Sequence, residues 1–229
     1  MSGGADGLRG VLFDMDGTLV DSEGYWMDCE RALADEHGVE WADEDAFAVM
    51  GGDLLVTGAR MQMRGVGMAT REIAEELVTR VASRMREEIP WRPGARELLS
   101  RLREAQVPLA LVTMSYRRYA DEVVAGLPSG TFGAVVAGDE VTRGKPDPEC
   151  FLVAAEQLGS DGAGLVIVED SPNGVTAALA SGMATLVIPF MVEVPRRPGL
   201  SRVASLKDVS VDMLRDVAGG RVVDVMNGS

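Results

Sequence analysis

Five short apolar runs, each followed by polar or turn-forming residues, constrain the fold of this chain more than any other feature of its sequence. They occupy residues 10–13, 107–112, 132–136, 165–168 and 184–188. Continuous apolar runs of this length are typical of parallel strands that are buried on both faces. Segments with a helical pattern precede the second run and separate the later ones, at residues 96–105, 117–126, 149–158 and 175–181. This alternation predicts an α/β fold, a parallel sheet with helices on both faces.

The interval between residues 24 and 91 interrupts the alternation, because it contains no strand-like run. Its pattern indicates successive helices at residues 25–36, 43–50, 54–63 and 71–88. The sequence therefore predicts an α-helical insertion after the first strand. We assign residues 1–22 and 92–229 to the sheet domain and residues 23–91 to the insertion.

Composition limits the partners that this chain can bind. Its formal net charge of −14 repels nucleic acid, and it also means that a site for a small phosphate needs local positive charge, most simply from a divalent cation. Cys29 and Cys150 are far apart in unlike contexts, so we expect no disulfide or zinc site. No signal-peptide pattern occurs, and no apolar run reaches the roughly 18 residues that span a bilayer. We therefore expect a cytoplasmic protein with no membrane partner, and a monomer by default.

Two carboxylates follow the first predicted strand. Asp14 and Asp16 are one residue apart, so a strand-like backbone places both side chains on the same side. In an open parallel sheet the ligand crevice lies outside the carboxyl ends of the strands. Carboxylates that share such a crevice need a cation between them, and Gly17 permits the turn that follows.

The ends of other predicted strands carry complementary groups. Thr113 is followed by the backbone amides of Met114 and its neighbours at a helix start, an arrangement that suits phosphate. Lys145 follows the third strand and supplies an ammonium group. Glu169 and Asp170 end the fourth strand with two further carboxylates, and such oxygen ligands suit Mg²⁺.

Each of these features has an ordinary structural explanation when it is taken alone. Asp-Gly is a common turn pair, a threonine at a strand end is usually a cap, and an isolated lysine is usually solvated. Acidic residues such as Glu169 and Asp170 also favour the start of a helix. The ordered set of residues, each after an apolar strand, favours a functional site.

Together the residues resemble the four motifs of the haloacid dehalogenase superfamily. The resemblance is to the branch with a helical cap inserted after the first strand, which includes β-phosphoglucomutase and many sugar-phosphate phosphatases. It covers residues 11–188 and implies a Rossmann-like core that carries the helical cap. It also implies a Mg²⁺-dependent phosphatase for a small phosphorylated metabolite, with a sugar phosphate expected and a nucleoside monophosphate as the alternative. The motifs are Asp14-Met15-Asp16-Gly17-Thr18, Thr113, Lys145 and Glu169-Asp170.

The resemblance assigns a role to each residue. Asp14 attacks phosphorus and becomes an aspartyl phosphate, while Asp16 protonates the leaving oxygen and then deprotonates the attacking water. Thr113, Met114 and Lys145 bind the transferring phosphoryl oxygens. Mg²⁺ is bound by the side chain of Asp14, the backbone carbonyl of Asp16 and the two acidic residues Glu169 and Asp170, of which Glu169 is a direct ligand or supports the others.

Two alternatives stay open at this point. Mutases of the same branch carry a histidine early in the first cap helix, where this chain has Trp26, and its single histidine is His37. They also carry a basic residue in the cap loop near Gly51-Gly52, where this chain has Asp53; these glycines are otherwise read as a hinge or helix break. A non-catalytic binding protein of the same fold is the second alternative, because a fold alone does not establish a function.

Overall fold

The computed structural model describes residues 7–50 and 53–226, and the chain divides into two compact units. The sheet unit lies within Met1–Asp21 and Trp91–Ser229, and the helical unit within Ser22–Pro90. These bounds lie within one residue of the domain borders that we assign from the sequence. Among the described residues, no helix is long and apolar enough to cross a membrane.

The sheet unit is built on a seven-stranded sheet in which every neighbouring pair of strands is parallel. Its strand order is β3-β2-β1-β4-β5-β6-β7. The strands are β1 (Gly10–Phe13), β2 (Leu109–Val112), β3 (Ala134–Val136), β4 (Leu165–Glu169), β5 (Ala184–Val187), β6 (Ser201–Val203) and β7 (Asp224–Val225). The predicted α/β fold with a parallel sheet is confirmed.

Nine α-helices occur among the described residues. Four of them form the helical unit: α1 (Glu23–Glu36), α2 (Asp43–Val49), α3 (Leu54–Arg64) and α4 (Thr70–Glu87). Five belong to the sheet unit: α5 (Ala95–Glu104), α6 (Arg117–Ala125), α7 (Glu149–Gln157), α8 (Pro172–Ser181) and α9 (Val211–Ala218). The sequence pattern predicts the first eight helices, but it does not predict α9, β6 or β7. The two missed strands are only two or three residues long and contain polar residues, so they show no apolar run.

Strand β1 is an interior strand of the sheet and lies between β2 and β4. Val11 is opposite Leu109 of β2 on one side and Val166 of β4 on the other. Leu12 points to the opposite face, into a buried cluster that also contains Phe151 of α7. Burying an apolar side chain of this size is worth about 1.5–3 kcal/mol. The order of the strands reverses at β1, and ligand crevices form at the carboxyl ends of strands beside such a reversal.

The helical unit has its own apolar core and its own ion pairs to a buried acid. Helices α3 and α4 approach closely at Gly58, where a Cβ atom would overlap the backbone carbonyl of Thr70. Asp45 of α2 is buried and accepts hydrogen bonds from Arg60 at 2.7 Å and Arg64 at 2.5 Å, both on α3. These arginines therefore brace one helix against another, and their hydrogen bonds hold the pKa of the Asp45 carboxyl below its usual value.

The chain entering α3 is capped by the side chain of Asp53, which accepts a hydrogen bond from the backbone N–H of Leu55 at 2.8 Å. Asp53 thus has a structural role at a helix N-terminus. Gly51-Gly52, read from the sequence as a hinge or helix break, lies outside the described residues. Cys29 in the helical unit and Cys150 in the sheet unit are both buried free thiols, as expected.

Glu30 makes the stability of the helical unit depend on pH. Its carboxyl is buried and accepts a hydrogen bond from Trp41 Nε1 at 3.0 Å. Burial raises its pKa from the usual 4.5 to about 7, against the opposing effects of Trp41 and Arg31. Because the folded-state pKa is raised, the neutral form is favoured in the folded protein, and the free energy of unfolding decreases as pH rises from about 4.5 to about 7. We expect Glu30→Gln to remove this decrease. The stability of the variant relative to wild type should therefore be greater at about pH 8 than at about pH 5.

Urea unfolding at the two pH values measures this difference. Glu40→Gln is the matched control, since Glu40 is an exposed acid beside Trp41 and should leave the pH dependence unchanged. Equal pH dependence in wild type and Glu30→Gln would contradict the prediction.

Candidate active site

Asp14 is the first residue beyond β1, and its backbone is fixed by the neighbouring strand. Its N–H donates to the carbonyl of Val168 in β4 at 3.0 Å, which continues the sheet pairing by one residue. Thr113 is held in the same way beyond β2, because its N–H donates to Val136 of β3 at 2.9 Å. Because β1 and β2 are parallel neighbours, both side chains lie at the same edge of the sheet, and both are buried.

Lys145 connects the chain segments at this edge. Its Nζ forms ion pairs with Asp14 Oδ1 at 2.6 Å and Glu169 Oε1 at 2.7 Å, and it donates to the carbonyl of Val112 at 3.2 Å. The lysine side chain is only 5% exposed. Burial by itself lowers a lysine pKa, but the two adjacent carboxylates outweigh it and raise the pKa of Lys145 above its usual value. These two carboxylates therefore favour the charged form of the ammonium group.

Glu169 is held by the start of helix α8. Its Oε2 accepts hydrogen bonds from the backbone N–H of Asp170 at 2.9 Å and of Ser171 at 3.0 Å. Ser171 Oγ in turn accepts from the N–H of Gly174 at 3.0 Å and caps the helix, whose first residue is Pro172. Residue 174 has to be glycine, because a Cβ atom there would overlap the carboxylate of Glu169. The helix start thus fixes the orientation of a buried acid.

Asp14, Glu169 and Asp170 form a cluster of buried carboxylates that suits a cation. Each offers an oxygen, and these oxygens all lie within 4.8 Å of one another. Burial, together with the neighbouring acids, raises the pKa of Asp14 well above its usual value and that of Asp170 to about 7. Within the described part of the chain, Asp14 Oδ2 is buried with no hydrogen-bond partner. Three acids and a single lysine leave an excess of negative charge, and hard oxygen donors of this kind fit Mg²⁺.

Gly17 allows the loop after β1 to approach this cluster. It adopts φ of +83°, a conformation that other residues rarely adopt, and a Cβ atom would overlap the carboxylate of Asp170. Thr18 Oγ1 donates to Asp170 Oδ1 at 3.3 Å. Gly17 and Thr18 therefore shape the loop after β1 around the carboxylate of Asp170.

Asp16 lies outside the carboxylate cluster and is bound by hydroxyl groups. Its carboxylate accepts hydrogen bonds from Tyr119 Oη at 2.6 Å, Ser115 Oγ at 2.7 Å and Thr113 Oγ1 at 3.3 Å. The structure thus places Asp14 and Asp16 in two different networks. Thr113 links to the second of these networks, and its Oγ1 also accepts from the N–H of Ser115 at 3.0 Å. Met114 lies beside Lys145, and the backbone N–H of Lys145 donates to Met114 Sδ at 3.2 Å.

Two residues near the site were not identified from the sequence. Tyr119 resembles any other core residue of an amphipathic helix. Arg92 lies in a proline-flanked segment without a recognisable motif, yet it donates to the carbonyl of Gly17 and its guanidinium carbon lies 3.9 Å from the centroid of the Phe190 ring. Burial lowers the pKa of Arg92, and the charge of Asp170 opposes that effect. Both residues are distant in sequence from the motif residues that they contact, so only the tertiary fold brings them to the site.

Most of the chain is similar to proteins of known type. A model of the family described as haloacid dehalogenase-like hydrolase matches residues 8–182. Hexitol phosphatase A of Escherichia coli K12 is 36% identical over 197 residues, which cover 82% of this chain and 86% of that protein. The phosphorylated carbohydrates phosphatase of Thermotoga maritima is 31% identical over 181 residues, or 77% of this chain and 82% of that protein. The crystal structure of CbbY from Rhodobacter sphaeroides in complex with phosphate is 26% identical with a TM-score of 0.75, over 88% of this chain and 96% of that one.

Removing the lysine should leave the carboxylate cluster uncompensated. We expect Lys145→Met to lower the free energy of unfolding by about 3–5 kcal/mol, the usual effect of removing one partner of a buried ion pair. Adding Glu169→Gln should recover part of the loss, because one buried negative charge disappears. Urea unfolding measures both effects. Lys207→Met, which changes the other lysine of the chain at an exposed position, is the control. A Lys145→Met variant as stable as this control would contradict the prediction.

Proposed function

This chain belongs to the haloacid dehalogenase-like hydrolase family, and we propose that it is a Mg²⁺-dependent phosphatase for a phosphorylated sugar or sugar-like metabolite. It is a phosphoric monoester hydrolase, in keeping with its family and its phosphatase relatives. One observation carries the proposed mechanism. The buried carboxylate of Asp14 has Oδ1 fixed by Lys145 and Oδ2 without a hydrogen-bond partner among the described residues.

Asp14 is the proposed nucleophile. Its Oδ2 attacks phosphorus as the bond to the leaving oxygen breaks, which gives an aspartyl phosphate and splits one difficult displacement into two easier ones. Lys145 is charged and already contacts Asp14, so it orients the carboxylate and offsets the charge of the phosphoryl oxygens. Thr113 and the backbone of Met114, beyond the neighbouring strand β2, are proposed to bind the same oxygens.

Asp16 is the proposed acid and base. It gives a proton to the leaving oxygen in the first step, and in the second step it accepts a proton from the water that attacks phosphorus. Its hydrogen bonds to three hydroxyl groups, away from Lys145, support a role distinct from that of Asp14. Two carboxylates in unlike surroundings suit two different tasks in one site.

The Mg²⁺ ligands are proposed to be Asp14, Asp170, Glu169 and the backbone carbonyl of Asp16. The clustering of the three acidic side chains supports this assignment. When bound, the ion supplies positive charge that screens the carboxylates from an anionic substrate.

The relatives support the proposed substrate class. Hexitol phosphatase A and the phosphorylated carbohydrates phosphatase are named for phosphorylated polyols and sugars. The strongly acidic chain disfavours nucleic acid, so we propose a small phosphorylated metabolite as the partner. We also propose that the protein acts as a monomer in the cytoplasm, where its two free thiols stay reduced.

A panel of phosphate esters tests the proposed reaction. We expect phosphate release from hexitol phosphates or sugar phosphates in the presence of Mg²⁺, and its loss in EDTA. Asp14→Asn should lower the rate roughly 10³-fold or more, because the nucleophile is removed. The measurement is release of inorganic phosphate, with nucleoside monophosphates and p-nitrophenyl phosphate in the same panel. A folded, Mg²⁺-loaded protein that releases no phosphate but isomerises a hexose phosphate would contradict phosphatase activity.

Thermal melting tests the metal site without any substrate. We expect Mg²⁺ to raise the melting temperature of wild type, because a ligand at about 100 times its Kd stabilises the folded state by about 2.7 kcal/mol. Asp170→Asn should abolish this rise. Without metal the same variant should melt above wild type, since it removes one of three mutually repelling buried acids. Glu156→Gln removes an exposed acid from the sheet unit and is the control. An unchanged Mg²⁺ response in Asp170→Asn would overturn the assignment.

A further inference from the structure

The carboxylate of Asp16 is held on one side by a single piece of chain. Tyr119, Ser115 and Thr113, which donate hydrogen bonds to it, all lie in the segment that follows β2. Tyr119 contacts Oδ1, and the other two hydroxyls contact Oδ2. We propose that Tyr119 is a positioning residue that orients Asp16 for proton transfer, an inference that rests on the proposed phosphatase function.

Burial makes Tyr119 a rigid support. Its side chain is completely buried in the first turn of α6, although it carries a polar hydroxyl. A buried tyrosine needs a hydrogen-bond partner, whereas phenylalanine would fill the same space without one. The hydroxyl lies 2.6 Å from Asp16 Oδ1, within the range of charge-assisted O–H···O⁻ bonds. Because the ring is enclosed, its hydroxyl stays in place, and so does the oxygen of Asp16 that it contacts.

When Tyr119 fixes Oδ1 of Asp16, the direction of Oδ2 is determined as well. Oδ2 faces Ser115 and Thr113 at the end of β2, and Thr113 is the residue to which we assign the phosphoryl oxygens. Oδ2 is therefore the oxygen placed to exchange a proton with the leaving group and with water. Holding reacting groups in such an orientation supplies much of the rate of an intramolecular step.

Hydroxyl groups suit a carboxyl that changes its protonation state. A hydroxyl can donate to the ionised carboxylate and can also accept from the protonated acid, which a lysine or arginine cannot do. In the first step the bond from Asp14 to phosphorus forms, the bond to the leaving oxygen breaks, and the proton of Asp16 moves to that oxygen. In the second step water bonds to phosphorus, the bond to Asp14 breaks, and a proton of the water returns to Asp16. Tyr119 keeps its own proton throughout.

Substrates with different leaving groups can distinguish a role of Tyr119 in positioning Asp16 from a general structural role of Tyr119. A hexitol leaves as a strongly basic alkoxide unless it is protonated, whereas p-nitrophenolate leaves without a proton. The value of kcat/KM reports the steps up to loss of the leaving group. A misplaced Asp16 should therefore lower kcat/KM for the hexitol phosphate far more than for p-nitrophenyl phosphate.

Tyr119→Phe tests the proposal, because it removes one oxygen atom and keeps the ring. We expect kcat/KM for a hexitol phosphate to decrease about tenfold or more, as part of the 10²–10⁴-fold contribution of a positioned acid. The value for p-nitrophenyl phosphate should stay within about threefold, and p-nitrophenol should appear in a burst, because the second step still needs Asp16. Tyr25→Phe is the control: it removes a hydroxyl that donates to the carbonyl of Glu88 in the helical unit, and it should leave the ratio of the two values unchanged.

A double-mutant cycle with Asp16→Asn identifies the route of the effect. If Tyr119 acts through Asp16, adding Tyr119→Phe to Asp16→Asn should change kcat/KM for the hexitol phosphate less than about twofold. An undiminished effect in that background would overturn the proposal, and so would an equal decrease for both substrates. If Tyr119→Phe does not melt cooperatively, Ser115→Ala replaces it, and the same selective decrease is required. Wild type that is inactive on both substrates would instead overturn the proposed function, whereas active wild type with an unaltered Tyr119→Phe ratio overturns this inference alone.

Discussion

The contact between Lys145 and the carboxylates of Asp14 and Glu169 is the interaction on which the site depends. Three acids are buried at one edge of the sheet, and burial opposes the ionisation of Asp14 and Asp170. A single lysine, itself buried, compensates part of this charge. Removing one charge from such a group is far more damaging than removing all of them, because the remaining charges stay buried without partners. The remaining negative charge is what makes the cluster receptive to a cation.

The sheet unit makes this concentration of charge possible. Strands β1, β2 and β4 are buried throughout and pair in register, so their carboxyl ends form a rigid edge. Asp14 and Thr113, just beyond that edge, are also held rigidly, because their backbone N–H groups continue the sheet hydrogen bonds for one more residue. The apolar core thus stabilises a local arrangement that is unfavourable by itself, as is common at functional sites.

The two aspartates of the first motif show how one short segment acquires two kinds of chemistry. Asp14 lies beside an ammonium group and two acids, whereas Asp16 accepts hydrogen bonds from three hydroxyl groups. The first environment suits the proposed nucleophile, which lies against an ammonium group, and the second suits the proposed acid and base. This difference comes from the neighbouring strands and from helix α6, not from the motif itself.

The sequence alone determined the α/β class, the positions of five strands, the helical insertion and the family resemblance, which the family match confirms. These features are local, since apolar runs and short motifs are read within a few residues. The packing of Tyr119 against Asp16, the stacking of Arg92 on Phe190 and the pairing of Lys145 with Glu169 join residues between 24 and 103 positions apart. The short strand β6 pairs with the edge of β5, and β7 in turn pairs with β6. Tertiary structure decided these contacts, because each depends on which segments the sheet brings together in space.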